Sequence, residues 1–181
     1  ITSAIHEGGA KVFAQIMHRG TSAPRATIDG LEAVGPSAVP RKFTHYEMPR
    51  ALTIDEIHEF VQWQAEAAVI AKKAGFDGIE LETNSGYLYG QFWSPLTNKR
   101  EDEYGGALEN RLRIVKETID GIHQECGADY PVTMRLGLKS YIKALNKASL
   151  DGSDEAGRTL EEGIRIAKLL EEMGFAALSV D

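Results

Sequence analysis

One pattern occurs twice in this 181-residue sequence and limits the folds that it can form. A Thr-x-x-Glu segment, at 53–56 and again at 159–162, precedes an amphipathic stretch, a glycine and an apolar run. In such a capping box the Thr and Glu side chains satisfy free backbone N–H groups at a helix start. The apolar runs that follow, FDGIELE and AALSVD, are too apolar to be strands that face water. The pattern is therefore an internal βα repeat, which predicts a parallel sheet.

The remainder of the chain continues the same alternation. We expect four strands, at KVFAQIM (11–17), FDGIELE (76–82), PVTMRLG (131–137) and AALSVD (176–181). Apolar residues at helical spacing predict helices between them, at 57–75, 108–122 and 160–173. Strands that alternate with helices imply parallel pairing with right-handed crossovers. The Pro- and Gly-punctuated stretch from Gly20 to Pro49 is predicted to be a long loop, and such loops are usually functional.

Composition excludes several functional classes. Lysine and arginine total 20 against 27 acidic residues, and the net charge of −7 argues against a nucleic-acid partner. No apolar run approaches membrane-spanning length, and the N-terminal sequence lacks the features of a secretory signal. The single cysteine, Cys126, forms no internal disulfide and no metal site by itself, and we expect it to be a small residue near a helix end. These features predict a cytoplasmic protein with no membrane partner, a single domain over residues 1–181, and no metal site.

Two folds satisfy the strand and helix pattern: an open doubly wound sheet and a (β/α)8 barrel. The glycine motifs that bind phosphate after the first strand of many open sheets are absent. Polar residues instead gather at the carboxyl ends of the strands, where a barrel builds its active site; they are Gln15, His18, 82–85, Arg135 and Asp181. A whole barrel has eight strands and about 250 residues. The pattern therefore favours a partial barrel with four strands.

The most specific stretch is GYLYGQFWSPLTNKREDEYGGALENR, residues 86–111. With QIMH (15–18), AGFDGIEL (74–81) and VTMRLG (132–137), it resembles the Old Yellow Enzyme family of NADH:flavin oxidoreductases, in particular the 2,4-dienoyl-CoA reductase and 2-enoate reductase branch. The resemblance implies an α/β, TIM (β/α)8-barrel fold, of which residues 1–181 are one partial FMN-binding domain covering roughly strands three to six.

The resemblance also implies an activity, namely flavin-dependent ene-reduction. NADH or NADPH reduces FMN, which passes hydride to the activated C=C bond of a small-molecule enoate, enoyl thioester or enone. FAD and an iron–sulfur cluster are implied only for a longer parent chain. The sheet edges and apolar faces that four βα units leave uncovered add the expectation of self-association, such as a homo-oligomer.

Three residues match cofactor-binding positions of the family. Gln15 matches a glutamine that hydrogen-bonds the flavin ring, since a side-chain amide offers donors and an acceptor. Arg135 matches an arginine beside the flavin, and its charge inside an apolar strand is costly unless it is used. His18 stands where relatives place a residue near flavin or substrate, although the sequence departs here from the family's H-x-G-R.

Three further residues match catalytic and substrate positions. Tyr87 matches the tyrosine that protonates the substrate carbon, because a phenol holds its proton at neutral pH. Glu82 and Ser85 replace the His-x-x-His or His-x-x-Asn pair that grips a substrate oxygen in many members. An ionised glutamate accepts hydrogen bonds but donates none, so we expect a different substrate grip.

Two alternatives stay open at this point. A truncated or degenerate barrel without turnover, acting as a binding or scaffold module, is the second hypothesis, and the replacement of the His pair favours it. A phosphate-sugar barrel of another family would need a Gly-rich phosphate loop, which is not visible. The segment 94–106 is predicted to be structural, with Arg100, Asp102 and Tyr104 tying the loop to the following helix.

Overall fold

A computed structural model of the chain describes residues 1–40, 47–83, 86–144, 147–148 and 156–180. The helices are α1 (Thr2–Glu7), α2 (Ile54–Lys73), α3 (Leu88–Trp93), α4 (Leu108–Cys126) and α5 (Leu160–Glu172). The strands are β1 (Phe13–Ile16), β2 (Val34–Gly35), β3 (Arg50–Ala51), β4 (Gly78–Glu82), β5 (Val132–Leu136), β6 (Ile142–Ala144), β7 (Lys147–Ala148) and β8 (Ala177–Val180). Short 3₁₀ turns lie at Gly20–Ser22 and Arg25–Thr27.

The main sheet has four parallel strands in the order β1-β4-β5-β8. This order follows the chain without reversing, so right-handed crossovers place every connecting helix on the same face. An open doubly wound sheet reverses its strand order and carries helices on both faces. The topology is therefore that of a barrel segment, as the sequence predicts.

The core lies between the sheet and its helices. Alternate residues of the strands point to this side and are fully buried: Ile79, Leu81, Val132, Met134 and Leu136. The helices α2 and α4 pack along each other and contribute side chains such as Ile57, Leu112 and Ile119. The other face of the sheet, which we call the open face, receives the intervening residues of each strand.

The helix ends follow the local signals with one difference. Thr53 and Glu56 form the full capping box at the start of α2. The Thr159 side chain likewise accepts the Glu162 backbone N–H, but the Glu162 carboxylate binds Arg111 Nη2 of α4 at 2.6 Å. An arginine across the fold thus engages the side chain that would complete the second box.

Arg100 fastens the segment after α3 to two earlier parts of the chain. Its guanidinium donates to the carboxylate of Asp102, with Nη2 2.6 Å from Oδ2. Its Nη1 donates to the carbonyl oxygens of Pro36 at 3.1 Å and Leu52 at 2.6 Å. We call this set of bonds the Arg100 latch, since it joins the loop after β2, the residue after β3 and the segment before α4.

The turn that leads into α4 is fixed in the same region. The Tyr104 hydroxyl donates to Glu117 of α4 at 2.7 Å. A Cβ atom at Gly105 would lie 2.0 Å from the Arg100 carbonyl oxygen, so only glycine fits there. The latch and this turn confirm the structural role predicted for the segment.

Two stretches between the main elements contain short strands that the sequence analysis did not predict. The stretch from Gly20 to Pro49 includes both 3₁₀ turns and β2, which pairs in parallel with β3. The polar stretch after β5 includes the antiparallel pair β6 and β7. Within the described ranges, none of the helices is apolar and long enough to traverse a bilayer.

Candidate functional site

The open face carries a shallow hollow of about 500 Å³. All four strands of the main sheet contribute to its lining: Phe13, Gln15, Glu80, Thr133, Ala177, Leu178 and Ser179. The sheet register places Gln15 opposite Glu80, Glu80 opposite Thr133, and Glu82 opposite Arg135. Polar side chains of neighbouring strands are therefore brought together on one face.

Gln15 and Glu80 form a direct hydrogen bond on this face. Gln15 Nε2 donates to Glu80 Oε1 at 2.7 Å, a short distance that is typical of a bond to a charged acceptor. Gln15 is exposed and Glu80 is half-buried. The predicted flavin contact thus lies in an accessible hollow with its amide already engaged on one side.

Glu82 and Arg135 form an ion pair one step further along the same two strands. Arg135 Nη1 lies 3.5 Å from Glu82 Oε2. The Glu82 side chain is 3% exposed, whereas that of Arg135 is 42% exposed. The guanidinium offsets the cost of burying the carboxylate and keeps a positive charge on β5, two residues after Thr133 of the hollow.

The corner between β4 and α3 presents Tyr87 through backbone bonds. Tyr87 is the N-cap residue of α3, with extended backbone at φ −107° and ψ 167°. The next residue, Leu88, donates its N–H to the carbonyl of His18 at 2.8 Å. The carbonyl of Gly86 accepts from Ser22 Oγ and from Gln91 Nε2. Tyr87 is therefore held in place through its two neighbours, Gly86 and Leu88, whose backbone groups bind residues that follow β1 and Gln91 of α3.

Gln91 is a residue of this corner that sequence reasoning did not single out. It is fully buried in α3. Its Oε1 accepts the Thr21 N–H at 2.9 Å, and its Nε2 donates to the Arg19 and Gly86 carbonyls at 3.1 and 2.8 Å. A buried amide with both ends bonded joins the loop after β1 to the loop after β4. The signal in the sequence is a glutamine inside an otherwise apolar run, YGQFW.

His18 lies two residues after the end of β1 and packs against α2. Its ring makes an edge contact with Phe60 of α2, with centroids 5.5 Å apart. Burial lowers the pKa of His18 and favours the neutral ring, and its Nδ1 accepts the Gly20 N–H at 3.0 Å. It lines a separate cavity of about 180 Å³ with residues of α2, including Phe60 and Trp63. These contacts do not bring His18 together with Gln15 on the open face.

Two predicted positions, Ser85 and Asp181, lie outside the described residues. Within the ranges that the structure describes, no group of three His, Cys, Asp or Glu side chains is arranged to hold a metal ion. Cys126 is buried at the end of α4, as predicted, and burial raises the pKa of its thiol.

Comparison with known proteins identifies the family. The model of the NADH:flavin oxidoreductase / NADH oxidase family matches residues 1–162. The chain belongs to this family. Among curated relatives, it is 45% identical to the NADH oxidase of Thermoanaerobacter brockii and 42% identical to the cinnamate reductase of Clostridium sporogenes, over 99% and 100% of the chain. It spans 26% and 28% of the length of these two proteins.

Solved structures of this flavin oxidoreductase family share the fold. The chain matches a 2-naphthoyl-CoA reductase in complex with 2-naphthoyl-CoA with a TM-score of 0.83 and 34% identity, covering 99% of this chain and 27% of that one. It matches the Old Yellow Enzyme homologue of Zymomonas mobilis with a TM-score of 0.82 and 32% identity, covering 99% of this chain and 50% of that one. The predicted fold class, a partial TIM (β/α)8 barrel, is confirmed.

Proposed function

We propose that this chain is part of a flavin-dependent ene-reductase, which uses NADH or NADPH and FMN to reduce the activated C=C bond of an enoate, enoyl thioester or enone. The observation that carries the proposal is the family match over residues 1–162. The relative named cinnamate reductase and the solved 2-naphthoyl-CoA reductase complex favour conjugated acids and thioesters as substrates. We also propose that residues 1–181 act as one partial FMN-binding domain.

The residues of the open face fit the polar edge of a flavin ring. The Gln15 amide offers hydrogen-bonding groups in an accessible hollow, and Arg135 places a cation on β5, two residues after Thr133 of that hollow. Gln15 would hold the pyrimidine edge of FMN, and Arg135 would stabilise negative charge that develops beside the ring. His18, whose Nδ1 accepts the Gly20 N–H, is proposed to contribute to cofactor binding by holding the loop after β1 in place.

The chemistry that bound FMN supplies is hydride transfer from the nicotinamide to the activated C=C bond of the substrate. Tyr87 would hold a proton on its phenol and deliver it to the substrate carbon that has not received hydride. Glu82, with Ser85, is proposed to contact the substrate. Because ionised Glu82 only accepts hydrogen bonds, it would bind a donor group of the substrate and not its carbonyl oxygen.

A flavin titration of the purified 181-residue chain tests the proposal. We expect FMN to bind, its absorbance to bleach under anaerobic NADH or NADPH, and its colour to return on addition of a cinnamate-type acid. In Tyr87→Phe, bleaching should be unchanged and the return of colour should slow by roughly 10²-fold or more, because general acid catalysis contributes about 10²–10⁴-fold. Tyr130→Phe is the matched control, since that phenol precedes β5 at the amino ends of the strands and donates to the Phe76 carbonyl.

A chain that stays colourless and refuses FMN would contradict this function for the isolated polypeptide. That result would support the alternative of a barrel without turnover that acts as a binding or scaffold module. Equal rates of colour return in Tyr87→Phe and in Tyr130→Phe would remove Tyr87 from the mechanism while leaving flavin binding intact.

A further inference from the structure

Glu80 is a charged residue of the hollow to which the proposed mechanism gives no role. It is half-buried in the middle of β4, directly opposite Gln15 of β1 in the sheet register. Its Oε1 accepts the Gln15 Nε2 hydrogen bond at 2.7 Å. The bond links two of the polar side chains that line the hollow.

The chemistry of the pair decides which way the Gln15 amide points. An ionised carboxylate has acceptor sites only, so the amide nitrogen of Gln15 must face Glu80. The amide oxygen then lies on the other side of the group, where it is an acceptor for a ligand. The negative charge of Glu80 also polarises the amide and strengthens its oxygen as an acceptor.

We infer that Glu80 is a positioning residue, which locks the Gln15 carboxamide so that its oxygen accepts a hydrogen bond from an imide N–H of the bound ring. For a flavin, this group is the N3–H of the pyrimidine portion. The inference rests on the proposed function and specifies which hydrogen-bonding polarity the site demands. A ring without an N–H at this point would leave the Gln15 oxygen facing a group that cannot donate.

Affinities for two flavins test the inference. FMN and N3-methyl-FMN differ at the one N–H in question, and their dissociation constants can be measured by quenching of flavin fluorescence. The wild-type chain should bind FMN about 5- to 150-fold more tightly, because an acceptor left without its partner costs about 1–3 kcal/mol. In Glu80→Gln this ratio should fall to about threefold or less, since a glutamine at this position can donate or accept and no longer fixes the orientation of Gln15.

A reciprocal exchange separates positioning from general structural damage. The double variant Gln15→Glu with Glu80→Gln keeps one donor and one acceptor in the pair but places an acceptor-only group at position 15. It should restore the preference for FMN over N3-methyl-FMN. The matched control is Glu66→Gln, which alters a second Gln–Glu pair, with Gln62, on the exposed face of α2 and should leave the ratio unchanged.

The outcomes are distinguishable from those of the proposed function. If the wild-type chain binds both flavins equally, or if Glu80→Gln keeps the wild-type ratio, the positioning role is overturned while flavin binding stands. If neither flavin binds, the proposed function fails for this chain, and the orientation is decided without flavin by NMR of the Gln15 side-chain NH₂ group. One of its two protons should be shifted downfield in the wild type and not in Glu80→Gln, and identical spectra would refute the lock.

Discussion

Replacing Arg100 should destabilise the fold far more than replacing an exposed arginine that also pairs with a carboxylate. The Arg100 side chain is 9% exposed and donates to the Asp102 carboxylate and to the carbonyls of Pro36 and Leu52. In Arg100→Ala the carboxylate loses its cation and both carbonyls lose their donor. Arg165 also pairs with a carboxylate, that of Glu109, but both side chains are more than half exposed.

The magnitude follows from burial. Removing one partner of a buried ion pair costs about 3–5 kcal/mol, and because Asp102 is 30% exposed and gains water, we expect the lower end, about 3 kcal/mol. Arg100→Lys keeps the charge but not the planar fork that reaches three acceptors, and should cost about 1–2 kcal/mol. Arg165→Ala should cost about 0.5 kcal/mol or less, as exposed pairs do.

Urea unfolding followed by tryptophan fluorescence measures these differences, since Trp93 in α3 is 1% exposed. The pH dependence gives a second readout. The hydrogen bond from Arg100 lowers the pKa of Asp102 in the folded state, so its contribution is present above the ordinary carboxyl pKa and is lost as pH falls through the lowered value. The difference in the free energy of unfolding between wild type and Arg100→Ala should therefore decrease below about pH 4. A loss in Arg100→Ala within about 0.5 kcal/mol of that in Arg165→Ala would refute the reasoning.

Two further predictions concern single positions. Gly105→Ala should lower the free energy of unfolding by about 1–3 kcal/mol, because the new Cβ would meet a backbone oxygen at 2.0 Å. Gly121→Ala in α4, where the nearest atom is 3.5 Å away, should raise the free energy of unfolding by about 0.5–1 kcal/mol. If urea unfolding shows that both variants change this free energy in the same direction, the packing argument is contradicted. Cys126 is 4% exposed, and burial raises the pKa of its thiol. It should therefore react with a thiol reagent at pH 8 much more slowly in the native protein than in guanidinium. Fast labelling of the native protein would show that the end of α4 opens.

Local patterns predicted the elements well because their causes are local. The Thr53 box, the apolar spacing of α2 and the glycines after α2 and α5 each act within one or two helical turns. The glycines Gly75 and Gly174 have φ of 88° and 96°, as a left-handed helix end requires. The parallel sheet followed from the alternation of strands and helices, and the polar residues at the carboxyl ends of the strands favoured a barrel over an open sheet.

The site was less predictable because it depends on contacts between distant residues. Gln15 lies within β1, whereas His18 lies two residues after the strand ends, where its Nδ1 accepts the Gly20 N–H and its ring contacts Phe60 of α2. Glu162 completes no second capping box because Arg111, 51 positions earlier, binds its carboxylate. The bonds of Gln91 join loops about 70 positions apart, which spacing along the sequence does not reveal.

The backbone bond from Leu88 to His18 separates the support of Tyr87 from the identity of its side chain. No atom of the phenol takes part in that bond, nor in those that Ser22 and Gln91 make to Gly86. Selection or design can therefore exchange the chemical group at position 87 without rebuilding the corner that presents it. The corner can therefore present a side chain of different reactivity during evolution while the barrel around it stays the same.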